Sequence, residues 1–366
     1  MNFIYHKEYK LIIDIVLIYG TGHGGVENAI TQVVKGLKNR GHRVRVFQSY
    51  KPFYEEWIKT LDEIYYYGNS NEFYNIKDFY NYAINYKNLL FKLGKPDIVL
   101  ATHSTLSSYL CHLALKDNIN IIPIISWIHG PSWVYGWECL LNYCDGHLAI
   151  SSLVKRSIED NVKNNNNNIF LIGNPIENKN ISTISRPLNI TKILYLSRLD
   201  KEKGTDILFK ALANVDAPFE LTIIGDGSLT FELKELANTL GISKKIKWLG
   251  WQENPWSKVS EASFTIVASP SEGFSLSTAE SLMRGIPVIS TKCGGPEDMI
   301  IDGVNGYLYD VDDYINLSKI LNNIINKKYS LPSRETCIES IQKYTVDNVI
   351  NNIENILKKY VENFSR

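Results

Sequence analysis

The sequence predicts an α/β protein made of two doubly wound, Rossmann-like domains facing a central cleft. Three observations predict it. Short runs rich in Ile, Val and Leu alternate with amphipathic helical stretches from end to end, the pattern of parallel strands covered on both faces. The runs form two series, separated by a polar stretch near 161–190 that has no periodicity. The length of 366 residues suits two domains of about 150 residues each.

In the first series, strands are expected at 11–18, 44–49, 97–102, 121–127, 146–150 and 169–172, with helices such as 26–40 and 75–93 between them. The second series places strands at 192–197, 219–224, 246–249, 264–268, 287–291 and 306–309. Its helices include 206–215, 231–240, 276–284 and 313–328. The Asn164–Asn168 run and the Gly173-Asn174-Pro175 turn mark the break. The domains are therefore expected at 1–172 and 173–345, with an amphipathic helix over 346–366 able to pack back on the first.

Composition excludes several classes. Lys and Arg number 39 against 39 Asp and Glu, so the chain is no polyanion binder and no nucleic-acid partner is expected. Hydrophobic content of 44% with 11% aromatics supports real cores. The apolar run Leu11–Tyr19 contains Asp14 and is too short to span a bilayer. Five cysteines, an odd number without a Cys-x-x-Cys pair, read as free thiols in a reducing cytoplasm.

Four segments can carry chemistry. Gly20-Thr21-Gly22-His23-Gly24-Gly25-Val26-Glu27 joins the first strand to its helix. Glycines there let backbone N–H groups reach an anion, and a tight turn braced by Glu27 fits equally well. The P-loop lysine is missing, and the second strand ends on Gln48 where a dinucleotide site would carry an acid. Ser197–Gly204 offers Arg198 as a planar fork and Lys203 as a mobile cation, while Lys201 and Glu202 face water. Gly225-Asp226-Gly227 is a strand-end turn that fits ligand contact or a plain loop.

The fourth segment is the richest. Ser271-Glu272-Gly273-Phe274-Ser275 follows a strand, and Glu280 lies eight positions after Glu272 on the expected helix. The N–H groups of Gly273, Phe274 and Ser275 can hold a phosphate, and the two carboxylates can accept from sugar hydroxyls. A capping box over Ser277-Thr278-Ala279-Glu280 is the competing reading. Asp310-Val311-Asp312 reads as an acidic helix start and not as a metal site.

Glu272-Gly273-Phe274, Glu280, Gly285 and Pro287 together resemble the Glu-x7-Glu signature of the family 4 retaining glycosyltransferases, which have the two-lobed GT-B fold. The resemblance extends in order to Gly24-Gly25-Val26-Glu27, Arg198, Lys203-Gly204, Gly225-Asp226-Gly227 and Gly294-Gly295-Pro296-Glu297. His147–Ser152, Gly173–Glu177, Trp248–Gln252 and Pro255-Trp256 look like the family's bacterial lipopolysaccharide 1,6-galactosyltransferases.

The resemblance implies roles. Arg198 and Lys203 would bind the donor diphosphate, Glu280 the ribose and Glu272 the donor sugar. Gly273, Phe274 and Ser275 would cap the distal phosphate. Backbone at Trp251 and Gln252 would read uracil, and Gly24, Gly25 and Gly227 would line the donor. His129, in Trp127-Ile128-His129-Gly130, would face the sugar; from the residues alone it is a satisfied histidine at a strand end. A hexose, galactose or glucose, would pass from a UDP-sugar to a lipid-linked saccharide such as lipopolysaccharide core or an O-antigen or capsule intermediate. The UDP-sugar is a co-substrate, no metal or other cofactor is expected, and the implied place is the cytoplasmic face of the inner membrane, held peripherally. The Tyr- and Lys-rich segment 73–92 (Tyr74, Tyr80, Tyr82, Tyr86) fits acceptor or membrane contact, or a core-facing helix. A UDP-sugar epimerase and an inactive sugar-binding scaffold are the rival functions.

Overall fold

Both series of apolar runs form all-parallel sheets in the computed structural model, which describes residues 10–70, 76–117, 121–163 and 168–364. Asn164–Asn167 and Tyr74 lie outside the described residues. The chain divides into Met1–Pro175 with Val346–Arg366, and Ile176–Thr345.

In the first unit the strands are β1 (Ile12–Leu17), β2 (Arg43–Gln48), β3 (Ile64–Tyr66), β4 (Ile98–His103), β5 (Ile124–Ile128), β6 (Gly146–Ala149) and β7 (Ile169–Leu171). They lie in the order β3-β2-β1-β4-β5-β6-β7. Helices α1 (Gly25–Asn39), α2 (Ile76–Leu93), α3 (Thr105–Leu115), α4 (Ser132–Tyr135) and α5 (Ser152–Glu159) make the crossovers. On one side of the sheet, α2 buries Phe79, Tyr82, Ala83, Tyr86 and Leu90 among Phe47, Val99 and Leu110. Tyr82 and Tyr86 are thus core residues, which corrects the alternative of an exposed tyrosine face; Tyr80 alone of the described three is exposed.

The second unit holds β8 (Thr191–Leu196), β9 (Phe219–Ile224), β10 (Ile246–Trp248), β11 (Phe264–Val267), β12 (Val288–Thr291) and β13 (Gly306–Tyr309), in the order β10-β9-β8-β11-β12-β13. Its helices are α6 (Thr205–Ala213), α7 (Thr230–Thr239), α8 (Leu276–Met283), α9 (Tyr314–Ile325) and α10 (Arg334–Ser340). Tyr195, Phe209, Phe264 and Tyr309 anchor its core.

Strand β3 has no counterpart in the sequence reading. It is three residues long and overlaps the aromatic run Tyr65-Tyr66-Tyr67, too short for an alternation to show. The last helix, α11 (Val346–Phe364), lies on α1. Arg40 donates to Asn351 Oδ1 at 2.6 Å, and the His42 ring reaches Glu354 at 3.0 Å. The Ile350 side chain fills the space where a Cβ on Gly36 would stand.

In each sheet the strand order reverses beside the first strand of its series: β1 sits between β2 and β4, β8 between β9 and β11. Ligands of open α/β sheets bind at the carboxyl ends beside such a reversal. In the second unit, the loops there are 197–204 and 268–275.

Candidate functional site

Two loops meet at the reversal in the second sheet. Gly204 adopts φ 61°, and a Cβ there would stand 2.2 Å from the Ala268 carbonyl oxygen. Only glycine permits that approach. Tyr195 Oη donates to the Lys203 carbonyl at 2.8 Å and fixes the same turn from the core. As a result Lys203 Nζ donates to Glu272 Oε1 at 2.8 Å, both side chains 17% exposed. Ser269 Oγ donates to the same carboxylate oxygen at 2.7 Å.

The Glu272 loop is also tied to the loop after β12. Glu272 N–H donates to Cys293 O at 2.8 Å, and Gly295 N–H to Glu272 O at 2.9 Å. A side chain on Gly295 would collide with the Phe274 backbone at 2.4–2.5 Å, so the Gly-Gly-Pro-Glu segment lets the loops close on one another. Phe274 itself is buried, edge-on to Tyr344 at 5.2 Å. Ser275 holds φ 70°, a left-handed conformation costly for a non-glycine residue. Among the described residues, no protein acceptor receives the N–H of Gly273, Phe274 or Ser275. These donors open α8, whose dipole favours an anion.

Helix α8 is capped at Ser275 and begins at Leu276. Ser277 is therefore inside the helix, and the capping box over Ser277–Glu280 does not form. Glu280 instead accepts from Trp256 Nε1 at 2.7 Å, and the Arg284 guanidinium lies over the Trp256 ring, 4.1 Å from its centroid. Burial pushes the Glu280 carboxyl up; the Trp256 hydrogen bond and Arg284 partly oppose that.

Arg198 is placed differently from Lys203. It is 65% exposed and bonded within its own loop, to Asp200 Oδ2 and Glu202 Oε1 at 2.7 Å each. Lys201 and Glu202 are exposed. Gly227 N–H already donates to Asp226 Oδ1 at 2.9 Å, and a Cβ on Gly227 would meet the Leu199 backbone at 2.6 Å, so this turn supports the Arg198 loop from behind. Trp251 is 55% exposed beyond β10, and Gln252 Nε2 donates to Leu249 O at 2.7 Å.

In the first unit, Gly24 and Gly25 are exposed at the start of α1. Glu27 turns back on the loop and accepts from Gly22 N–H and Thr21 Oγ1, each at 3.2 Å. Gln48 accepts from Gly20 N–H at 3.1 Å, so the residue that stands in place of a dinucleotide acid braces the glycine turn. His129 follows β5 against Trp127, ring centroids 4.5 Å apart. Both its ring nitrogens are buried and, among the described residues, without a partner. That replaces the satisfied strand-end histidine with two unspent hydrogen-bonding groups. Burial pushes the ring down to about 3, with the His103 charge adding to it.

The acidic stretch before α9 caps through Asp313, whose Oδ1 accepts from Asn316 N–H at 2.9 Å; Asp310 pairs with Lys292. No cluster of three or more His, Cys, Asp or Glu able to hold a metal exists among the described residues. Sequence reasoning missed Ser269, a hydroxyl in a Ser-Pro-Ser loop with no pattern to mark it. It also missed Arg284, whose position four residues after Glu280 was the available signal.

The family model for Glycosyl transferases group 1 matches residues 176–344, and that for Glycosyltransferase Family 4 matches 23–179. The chain is 30% identical over 344 residues to the lipopolysaccharide 1,6-galactosyltransferase of Salmonella typhimurium, covering 85% of this chain and 90% of that one. To the Escherichia coli enzyme of the same name it is 31% identical over 241 residues, 63% of this chain and 66% of that. Among solved structures, the apo lipopolysaccharide outer core galactosyltransferase WaaB aligns with a TM-score of 0.87 at 26% identity, over 95% of this chain and 99% of that one. Anabaena Alr3699/HepE in complex with UDP aligns with a TM-score of 0.79 at 16% identity, over 95% and 99%, a likeness of fold.

Proposed function

The chain belongs to the family 4 glycosyltransferases, and we propose that it is a retaining hexosyltransferase that moves galactose or glucose from a UDP-sugar to a lipid-linked bacterial saccharide such as lipopolysaccharide core. The observation that carries this reading is the Lys203–Glu272 pair at the strand-order reversal, with free N–H groups and Glu280 following on the same loop and helix.

Departure of UDP builds positive charge on sugar C1 and negative charge on the β-phosphate. Fixed donors aimed at that phosphate lower the barrier without reorganising. Lys203 and the N–H groups of Gly273, Phe274 and Ser275 are such donors. Arg198 joins them by exchanging Asp200 and Glu202 for the diphosphate, an inexpensive exchange because exposed pairs are worth only about 0–1 kcal/mol. Glu272 accepts from donor-sugar hydroxyls, and the second oxygen of Glu280 accepts from the ribose. Backbone at Trp251 and Gln252 meets the uracil. For His129 the role is a hydrogen bond to the donor sugar from a neutral ring, and for Gly24 and Gly25 close backbone approach to the donor.

In the transfer, the C1–phosphate oxygen bond breaks and the acceptor hydroxyl oxygen bonds C1 on the same face. Its proton goes to the departing phosphate. Lys203 and Arg198 supply the positive charge that this requires. Peripheral attachment to the inner membrane is part of the proposal; exposed Trp133, Val134 and Trp137 around α4 support it. No described helix is long and apolar enough to cross a membrane.

Incubation with radiolabelled UDP-sugars and a membrane extract is the test. Label from UDP-galactose or UDP-glucose should enter a lipid-linked glycan. Release of free sugar or an epimerised donor without an acceptor product points to the epimerase, and no turnover of any donor to the scaffold.

A further inference from the structure

A cavity in the first unit lies against the helix of segment 73–92, apart from the donor-site residues described above. It is a groove of about 900 Å³ between α2 and the chain leaving β3. Its α2 wall is a stripe: Asp78, Asn81, Asn85, Asn88 and Lys92. These positions are spaced three or four residues apart and so share one helix face. The opposite face of the same helix is the core-packed set of Phe79, Ala83, Tyr86 and Leu90, with Tyr82 between the two faces.

Burial explains the apolar face and a structural hydrogen bond explains Asn85, but no contact among the described residues calls for Asn81 and Asn88 in register with it. Solvated helix faces need only charge or polarity, and Asn is a poor helix former. Asn81, Asn88 and Lys92 are exposed. Asn85 Nδ2 donates to Tyr67 O at 2.9 Å and ties the helix to the opposite wall, where Tyr66 adds a half-buried ring.

We infer that this groove is a second saccharide-binding site, which grips sugars of the acceptor remote from the reacting hydroxyl. Each carboxamide offers a donor and an acceptor side by side, the match for vicinal hydroxyls. A tyrosine ring offers a face for sugar C–H groups. Lys92 at one end of the stripe suits one anionic substituent, such as a sugar phosphate. Ile84 and Leu89 beside the stripe add apolar surface to the same wall, which can meet the C–H faces of a sugar ring. Strand β3 stands two places from β1 in the sheet, so the groove and the glycine loop that follows β1 are set on different strands of one unit. Binding energy from such a remote site favours long acceptors over short ones. The inference rests on the reading that the acceptor is a saccharide.

The probe is a delipidated, phosphorylated lipopolysaccharide core oligosaccharide, titrated into the intact protein by calorimetry and saturation-transfer NMR. Binding should be measurable in the wild type. The exposed-site double variant Asn81→Ala/Asn88→Ala should raise its Kd at least tenfold, with UDP affinity kept within twofold as the check on folding. Lys92→Gln should weaken the phosphorylated oligosaccharide and leave its dephosphorylated form unchanged. Wild-type Kd in the double variant, or no binding by the wild type, overturns the inference. Groove-dependent binding without transfer from any UDP-sugar upholds the groove and overturns the hexosyltransferase reading instead; transfer with an unchanged Kd in the double variant does the reverse.

Discussion

Lys203 and Glu272 stand 69 positions apart in sequence and 2.8 Å apart in space. The pair is the meeting point of the two loops at the strand-order reversal, and Glu272 holds Lys203 where a phosphate can take it over. Lys203→Ala should lower kcat/KM for the UDP-sugar by about 10²–10³-fold, the size expected for one donor at a developing negative charge. Lys203→Arg should not restore it, since a planar fork cannot reach both Glu272 and a phosphate in the same geometry. Steady-state transfer rates for the two variants check this; near-normal kcat/KM in Lys203→Ala removes Lys203 from the reacting centre, and in Lys203→Arg it shows that charge without the lysine geometry suffices.

Gly204 makes that pair possible. At φ 61°, with the Ala268 carbonyl 2.2 Å from where a Cβ would be, an alanine must push two backbones apart. Gly204→Ala should destabilise the second unit by more than about 1 kcal/mol and weaken UDP binding together with it, although the residue carries no functional group. Urea midpoints and UDP titration measure both; wild-type UDP affinity would show that the Lys203 loop tolerates displacement.

The fold and the residues of the candidate site were legible because both are local patterns. Parallel strands buried on two faces write themselves as Ile/Val/Leu runs, and the strand-end loops carry Arg198, Lys203 and Glu272, with Glu280 on the helix that follows. What was not legible depends on direction and depth. Ser277–Glu280 fits a capping box by spacing, but the left-handed turn at Ser275 starts the helix earlier and sends Glu280 to Trp256. Asp200 and Glu202 are plain in the sequence, yet not that they would hold Arg198 between them. Strand-end position alone could not show that both nitrogens of His129 are buried without partners among the described residues.

Glu280 should give UDP binding an acid limb. Its carboxyl is pushed up by burial, so it takes up a proton at a higher pH than an ordinary glutamate and stops accepting from the ribose. UDP affinity is therefore expected to fall on acidification while exposed carboxylates are still ionised. Stability runs the other way: a raised value in the folded state means that ionisation costs stability as pH rises through it. Glu280→Gln keeps an acceptor for Trp256, should raise the UDP Kd about 10–100-fold, as loss of a charged hydrogen-bond acceptor does, and should remove the acid limb. Calorimetry across the acid range decides; a persistent limb in the variant assigns it to another group.

His129 should be silent in pH profiles. With its ring pushed down to about 3 by burial, it stays neutral from pH 5 upward and offers one N–H and one lone pair throughout. His129→Ala should lower kcat but leave the shape of the kcat–pH curve between pH 5 and 8 as in the wild type. Disappearance of a limb near pH 6.5 in the variant would mean that the histidine titrates during turnover, and would make it an acid–base group.

Asp14 and Arg45 form a buried ion pair in the first unit. Both side chains are fully buried; Arg45 Nε and Nη2 donate to the two Asp14 oxygens at 2.6 and 2.9 Å, and Tyr86 Oη donates to Asp14 at 2.9 Å. The remaining Arg45 nitrogen donates to Leu93 O and Gly94 O, which fixes the end of α2 against β2. Attraction in such a pair is largely offset by desolvation, so its value shows only when one partner is lost. Asp14→Ala leaves a buried guanidinium with carbonyl partners alone and should cost about 3–5 kcal/mol. Asp14→Leu/Arg45→Met removes both charges at similar volume and should recover most of that loss, while the α2 end, deprived of its Arg45 bonds, exchanges its amides faster. Urea unfolding gives the first two quantities and hydrogen exchange the third. Equal destabilisation in the single and double variants would show that the pair earns its place through net attraction and not through mutual satisfaction of two buried charges.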